Sequence, residues 1–455
     1  MNTSFFGEML NSITERGRAL LDRTRDRRDI AASRSDSLVD LCEELLSGRG
    51  EASGVALAGE ILEKYSELTT GPRIAFFEAL ATRFGPDRAE LDAAIKAWQA
   101  APSDETAAEV HIAAESRRQE LLRRLNLAPG GTAALVRMRE QLLDAMGHRK
   151  DLAAVDSDFV HLFSSWFNRG FLVLRRIDWA TPAMILEKII RYEAVHEIAS
   201  WDDLRRRIDP PDRRCYAFFH PALVDEPLIF VEVALTREIP DAVGPILATD
   251  RNGLAPDKSK VAVFYSISNC QRGLAGVSFG NFLIKQVVEE VSRENARLST
   301  YVTLSPAPDF ARWLDRERKT ENSQALSADD REALKGLDAP GWWREPAQNE
   351  AFKEAFLRAA AWYYLNARSR RGLPLDAVAR FHLGNGARLE RLNWLADLTD
   401  KGLSQSYGLM VNYLYDLENI ETNHEAYAEG RRVTASSAVR RHLRGTTADL
   451  VPVAG

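Results

Sequence analysis

The chain has 455 residues, with 60 Lys and Arg against 66 Asp and Glu, a net charge of −6, 45% hydrophobic residues and three cysteines. At about 150 residues per domain this length supports roughly two or three domains, each able to bury a core without disulfide or metal staples. Cys42, Cys215 and Cys270 are scattered and form no Cys-x-x-Cys pair, which excludes a disulfide scaffold and a zinc ribbon; the evenly spread acidity gives no footprint for nucleic acid.

The first 29 residues lack an apolar core segment and carry Glu8 and Glu15, so no secretory signal is expected. Arg16, Arg18, Arg23 and Arg25 leave a transit-type amphipathic helix open. No run reaches the ~20 apolar residues that span a bilayer, so no membrane partner is expected. Up to about residue 168 the pattern is helical. Leu41, Leu45 and Leu46 share a helical face, as do Ile61, Tyr65 and Leu68, and Leu121, Leu122 and Leu125. Gly71-Pro72, Gly85-Pro86, Pro102-Ser103 and Pro129-Gly130-Gly131 punctuate the stretches, and Ser103-Asp104-Glu105 supplies capping chemistry. With no cluster of His, Cys or acids, residues 1–168 read as an all-α bundle used for packing or assembly.

From Gly170 the texture changes to apolar runs of strand length: Phe171 to Leu174, Cys215 to Phe219, Leu228 to Leu235, Val261 to Ile267 and Tyr301 to Leu304. Helical stretches, notably Met184 to Ala194 and Asn281 to Val291, alternate with them, so residues 169–455 form a mixed α and β domain and the chain as a whole is α+β. The boundary falls between Trp166 and Arg175. Residues 315–350 are highly charged, with Gly336, Pro340-Gly341 and Pro346, and read as a surface insertion with short helices. The last ten or so residues are expected to fray, and the terminal Val-Ala-Gly is not a peroxisomal address.

The most informative stretch runs from Val261 to Val291. A strand leads into a loop with Gly273, Gly276 and Gly280, and a helix follows whose inward face is Leu283, Ile284, Val287, Val288 and Val291. Glycines let a backbone approach a ligand, and a helix start favours phosphate. The spacing is neither a Walker loop nor the dinucleotide fingerprint, and on composition alone a tight strand-to-helix turn fits equally well. Downstream, Ser305 ends a strand and is stopped by Pro306, which places it at a sheet rim. Of the histidines, His111, His148, His161 and His442 fall on charged helices and His424 follows a polar loop; His220 and His382 are taken as candidates. His382 sits among apolar residues before Gly384-Asn-Gly386. Asn412-Tyr-Leu-Tyr415 adds two phenols near a strand end.

Together these segments resemble the malonyl-CoA decarboxylase family over most of the chain. Four ordered motifs carry the resemblance: Phe264-Tyr-Ser-Ile-Ser268 with Gly273-Leu-Ala-Gly-Val277; Thr303-Leu-Ser-Pro306; Phe381-His-Leu-Gly-Asn-Gly-Ala387 with Asn393-Trp-Leu-Ala-Asp397; and Gly408-Leu-Met-Val-Asn-Tyr413. The resemblance implies an N-terminal helical domain for self-association, as a homodimer or homotetramer, and a catalytic domain with the fold of the GNAT acyltransferases. It implies that the loop formed by Gly273, Leu274, Ala275, Gly276, Val277, Ser278, Phe279 and Gly280 cradles the pyrophosphate of coenzyme A. Some family members have an acidic residue at the position of Ser278.

Carried over by motif, Ser305 and His382 match the family's catalytic pair, Tyr415 lines the same pocket and Ser266 lies on the strand beside the thioester. The implied reaction converts malonyl-CoA to acetyl-CoA and CO2, with His382 as proton donor, Ser305 orienting the carboxylate, and no metal, biotin or PLP. A histidine of ordinary pKa, ~6.5, is expected to hold that proton near neutral pH. The peroxisomal tail of animal relatives is missing, which implies a bacterial, cytoplasmic enzyme. An acyl-CoA N-acyltransferase of GNAT type, or a non-catalytic CoA-binding assembly protein, would use the same segments.

Overall fold

The computed structural model describes residues 38–47, 50–147, 149–277, 283–344 and 350–443. The N-terminal arginines, His148, Ser278, Phe279, Gly280 and the C-terminal tail lie outside the described residues. Two compact units emerge. One comprises Met1–Val173 with Phe219–Glu226 and Gln271–Phe279; the other comprises Leu174–Phe218, Pro227–Cys270 and Gly280–Gly455.

In the first unit helices run over Leu38–Leu46, Glu51–Ser66, Thr70–Arg83, Arg88–Ala100, Asp104–Ala114, Arg117–Asn126, Gly131–Met146 and Ala153–Trp166. The apolar faces seen in sequence are the ones buried: Leu41 and Leu45, Ile61 and Tyr65, Leu121, Leu122 and Leu125. A buried ion pair, Arg118 Nε to Asp158 Oδ2 at 2.8 Å, ties two of these helices. Helices Arg88–Ala100 and Asp104–Ala114 differ from the rest. Neither buries a residue, and they pack chiefly on each other, joined at a turn where Ser103 and Thr106 form a capping box.

The second unit is built on an eight-stranded sheet: β1 (Val173–Ile177), β2 (Arg213–Phe219), β3 (Pro227–Thr236), β4 (Val261–Asn269), β5 (Thr300–Thr303), β6 (Ser305–Pro306), β7 (Arg388–Asn393) and β8 (Met410–Leu414). The order is β1-β2-β3-β4-β5-β8-β6, with β7 also on β8. β3 and β4 are antiparallel; β4 and β5 are parallel, joined by the helix Leu283–Glu294, whose five predicted apolar residues are all buried. A core cluster of Ala234, Val261, Val263, Tyr265, Val302, Leu304 and Met410 marks one face of the sheet.

Two sequence expectations shift. The strand expected from Phe171 begins at Val173, because Arg169–Phe171 forms a 3-10 turn capped by Asn168. Residues 315–350 do carry short helices, but they are more than a surface insertion. Leu326, Leu334 and Leu337 are buried, and Asp330 pairs with Arg358 of the helix Glu350–Leu365 at 2.8 Å.

Candidate active site

The parallel pairing of β4 and β5 ends early. Register runs from Val261 opposite Thr300 to Phe264 opposite Thr303, and Leu304 N still donates to Phe264 O at 3.0 Å. Beyond that, β4 continues to Asn269 against β3 alone, while Ser305 and Pro306 turn to pair with Val411 and Met410 of β8. Pro306 has no N–H to donate to β4, and the two central strands part at Ser305.

His382 is brought there by the helix Ala377–Gly384. Asp376 caps its start, accepting from Ala379 N at 2.7 Å. Past the helix end the chain needs a left-handed residue, and Gly386 (φ +80°) supplies it. A Cβ at Gly386 would overlap the Ile420 carbonyl, so the Gly-Asn-Gly turn is a packing requirement that fixes where His382 sits.

The resulting contacts form a chain. Ser305 Oγ lies 3.0 Å from His382 Nε2, and His382 Nδ1 lies 2.8 Å from Tyr415 Oη. Ser305 Oγ donates to Thr303 Oγ1 at 2.9 Å, which leaves it to accept from the imidazole. A neutral ring with its proton on Nε2 satisfies every bond: Tyr415 donates to Nδ1, Nε2 donates to Ser305, and Ser305 donates to Thr303. The Tyr413 ring stacks on His382 with centroids 4.6 Å apart.

All three groups are buried, His382 at 2% exposure. Burial alone pushes the His382 pKa down to about 3 and holds the Tyr415 phenol well above its usual range. This corrects the expectation of an imidazole that holds an extra proton near pH 7. The free site is neutral.

Ser266 is not part of this chain. A register shift opposite Glu232 and Val233 inserts one residue into β4, so Phe264 pairs with Val233 but Ser266 pairs with Glu232. Glu232 is two residues from Ala234 of the core cluster, so Ser266 looks to the core-cluster face; Ser305, opposite Val411 and next to Met410, looks to the other. Ser266 Oγ donates to the Glu193 carboxylate at 2.8–2.9 Å, and Glu193 Oε1 also accepts from Val195 N and His196 N. Behind it, Arg207 Nη1 reaches the fully buried Glu232 at 3.3 Å. Desolvation pushes Glu232 up to about 8 and His196 down to about 4.

A cavity of about 230 Å³ opens on Ala194, Val195, Pro306, Pro308 and Lys401, beginning one residue past Ser305. A larger open cleft of about 630 Å³, lined by Arg237, Lys258, Lys260 and Arg297, lies at the start of β4, and none of its residues belongs to the relay.

Of the other sequence candidates, His220 is a satisfied structural residue. Its Nε2 is 3.0 Å from Trp166 O and its ring packs on Phe167. Cys270 is buried. In the glycine loop, Gly273 sits in a 3-10 turn over Arg272–Leu274, and Gly276 has φ +78° with open space where a Cβ would go. A Cβ on Gly273 would overlap the Val136 carbonyl of the helix Gly131–Met146, so helix packing requires a glycine here. Glu193, His196 and Thr303 escaped the sequence reading. The sequence signal for the first two was an acid and a histidine within four residues, in Glu193-Ala-Val-His196, just past an amphipathic helix. Among the described residues no group of three or more His, Cys, Asp or Glu could hold a metal ion, and no helix is long and apolar enough to cross a membrane.

These features define a protein with a helical N-terminal region and a mixed-sheet domain that holds a buried hydroxyl–imidazole–phenol chain. The family model for the malonyl-CoA decarboxylase C-terminal domain matches residues 170–452, and that for the N-terminal domain matches residues 84–167. Malonyl-CoA decarboxylase from Rhodopseudomonas palustris is 59% identical, with a TM-score of 0.86 over 90% of this chain and 100% of that one. The enzyme of the same name from Agrobacterium vitis is 57% identical, with a TM-score of 0.85 over 89% and 99%. The mitochondrial malonyl-CoA decarboxylase of Anser anser anser is 34% identical over 418 residues, 84% of this chain and 82% of that protein. The chain belongs to the malonyl-CoA decarboxylase family, a family of carboxy-lyases.

Proposed function

We propose that this protein converts malonyl-CoA to acetyl-CoA and CO2 through the Ser305–His382–Tyr415 chain. The observation that carries the reading is that a buried, neutral, fully bonded proton path ends at Ser305, where the central strands part. Loss of CO2 leaves an enolate on the thioester, which is its own electron sink, so the reaction needs an oriented carboxylate, a stabilised oxyanion and one proton. No metal or organic cofactor is called for by that chemistry.

Ser305 would orient the malonyl carboxylate by its hydroxyl and then pass its proton to the α-carbon. His382 Nε2 reprotonates Ser305 as Nδ1 takes the proton of Tyr415, so the negative charge ends on the buried phenol, and after product release a proton from water returns along the same chain through Ser305 and His382. A thioester α-carbanion is far more basic than a serine hydroxyl, so a neutral relay suffices. His382 remains the proton donor, acting through Ser305. Ser266, on the opposite face and bonded to Glu193, would support the site rather than hydrogen-bond the enolate.

The segment from Gly273 to Gly280 would hold the CoA diphosphate through backbone amides, in the manner of the GNAT acyltransferases. Residues 1–168 would mediate self-association into dimers or tetramers and residues 169–455 catalysis, in the cytoplasm. The exposed Trp98 and Ile112 of the hairpin spanning residues 88–114, which buries no residue among the described residues, offer the surface for a second copy.

Incubation with malonyl-CoA alone tests the reading. Stoichiometric acetyl-CoA and CO2 without an acceptor are expected. Turnover that appears only when an amine acceptor is added would instead identify an N-acyltransferase.

A further inference from the structure

The helical unit is not only packing material. Gln271–Phe279 belongs to it, and the contact is specific. Arg139, on the helix Gly131–Met146, is 2% exposed; its Nε pairs with Asp156 Oδ1 at 2.8 Å and its Nη1 donates to Gly273 O at 2.8 Å. Gly273 is pressed against the Val136 carbonyl of the same helix, and Arg272 forms an ion pair with that helix's Asp144. The turn so anchored closes with Leu274 N on Gln271 O, Ala275 N on Arg272 O and Val277 N on Leu274 O. The Gly276 N–H is left over. Among the described residues it has no backbone acceptor, and a Cβ at Gly276 would meet none of them within 4 Å.

A guanidinium fixed by a carboxylate is a rigid donor, and its bond to a buried carbonyl sets the orientation of the next peptide units. We propose that Arg139 is a positioning residue for coenzyme A: it holds the Arg272–Leu274 turn in the shape that presents the Gly276 amide to a phosphate. The inference rests on the reading of this loop as the diphosphate holder.

The test compares malonyl-CoA with malonyl-pantetheine, which lacks the diphosphate and nucleoside, in the full-length protein. Arg139→Met should raise the KM for malonyl-CoA roughly tenfold, the worth of one charge-assisted hydrogen bond, with kcat little changed. Its kcat/KM for malonyl-pantetheine should match the parent, and Arg139→Lys should recover part of the loss. A folded Arg139→Met with parental KM, or with equal losses on both substrates, overturns the proposal. Should Arg139→Met fail to fold, Asp156→Asn, which keeps the guanidinium but loosens its aim, should raise the KM for malonyl-CoA alone, and an unchanged KM contradicts the proposal. The loop reading fails by a separate route: a parent that uses both substrates equally well, together with a Gly276→Asp variant of parental CoA affinity, removes the diphosphate site and the role of Arg139 with it.

Discussion

Two buried polar clusters flank the point where β4 and β5 part, and they are built on opposite electrostatic plans. On one face, Ser305, His382 and Tyr415 are neutral, and burial is the only influence on the imidazole and the phenol among the described residues. On the other, Glu193, His196, Arg207, Glu232, Asp397 and Lys401 act on one another with opposing signs. An anion added to the second cluster meets charges already compensated. An anion formed at the first depends on the hydrogen bonds arranged around it. On the function proposed above, the chemistry belongs to the uncharged face and the charged one supports it.

Substitutions can break or sharpen that contrast. His382→Ala removes the centre of the relay, and kcat should fall by about 10²–10⁴, read in steady-state acetyl-CoA release on protein shown to be folded. Ser305→Ala should cost about 10²–10³, because it deletes both a hydrogen bond to the substrate and the last proton donor. Tyr415→Phe leaves His382 Nδ1 without its donor and should lower kcat on the order of tenfold. Ser266→Ala, on the charged face, should change kcat by less than about threefold, within the range of a single neutral hydrogen bond; a loss as large as that of Ser305→Ala would erase the distinction between the faces.

Titration gives the smallest signals. Since the free imidazole is neutral down to a pKa of about 3, kcat/KM should show no fall through roughly pH 6.5, where an ordinary histidine would lose its proton. The same shift links to stability. The folded-state value lies below the unfolded ~6.5, so the unfolded chain binds the extra proton first, and stability is lost as pH falls from about 6.5 toward 3. Melting temperatures of His382→Gln should depend less on pH over that window than those of the parent.

Much of this was legible in the residues. The strands of the second half, the inward face of the helix Leu283–Glu294, and the placing of Ser305 at a sheet rim all follow from local patterns that burial then fixes. His382 could be shortlisted but not paired, because its partners come from β6 and the end of β8 and only the fold joins them. Its protonation was misjudged for the same reason, since desolvation is a property of everything packed around it. Ser266 shows a sharper limit. Strict alternation puts it on the side of Phe264, and the single inserted residue opposite Glu232 and Val233 moves it to the other face. The packing of Gly273 on Val136 was not legible, because that helix lies far away in sequence and carries no motif.

The most direct test of the neutral relay is nitrogen NMR of histidine-labelled protein at neutral pH, bound to a malonyl-CoA analogue that cannot decarboxylate, with His382 assigned by its loss in His382→Gln. The account predicts a neutral ring protonated on Nε2 and accepting at Nδ1. A ring with protons on both nitrogens would contradict it and would return His382 to the role of a charged general acid.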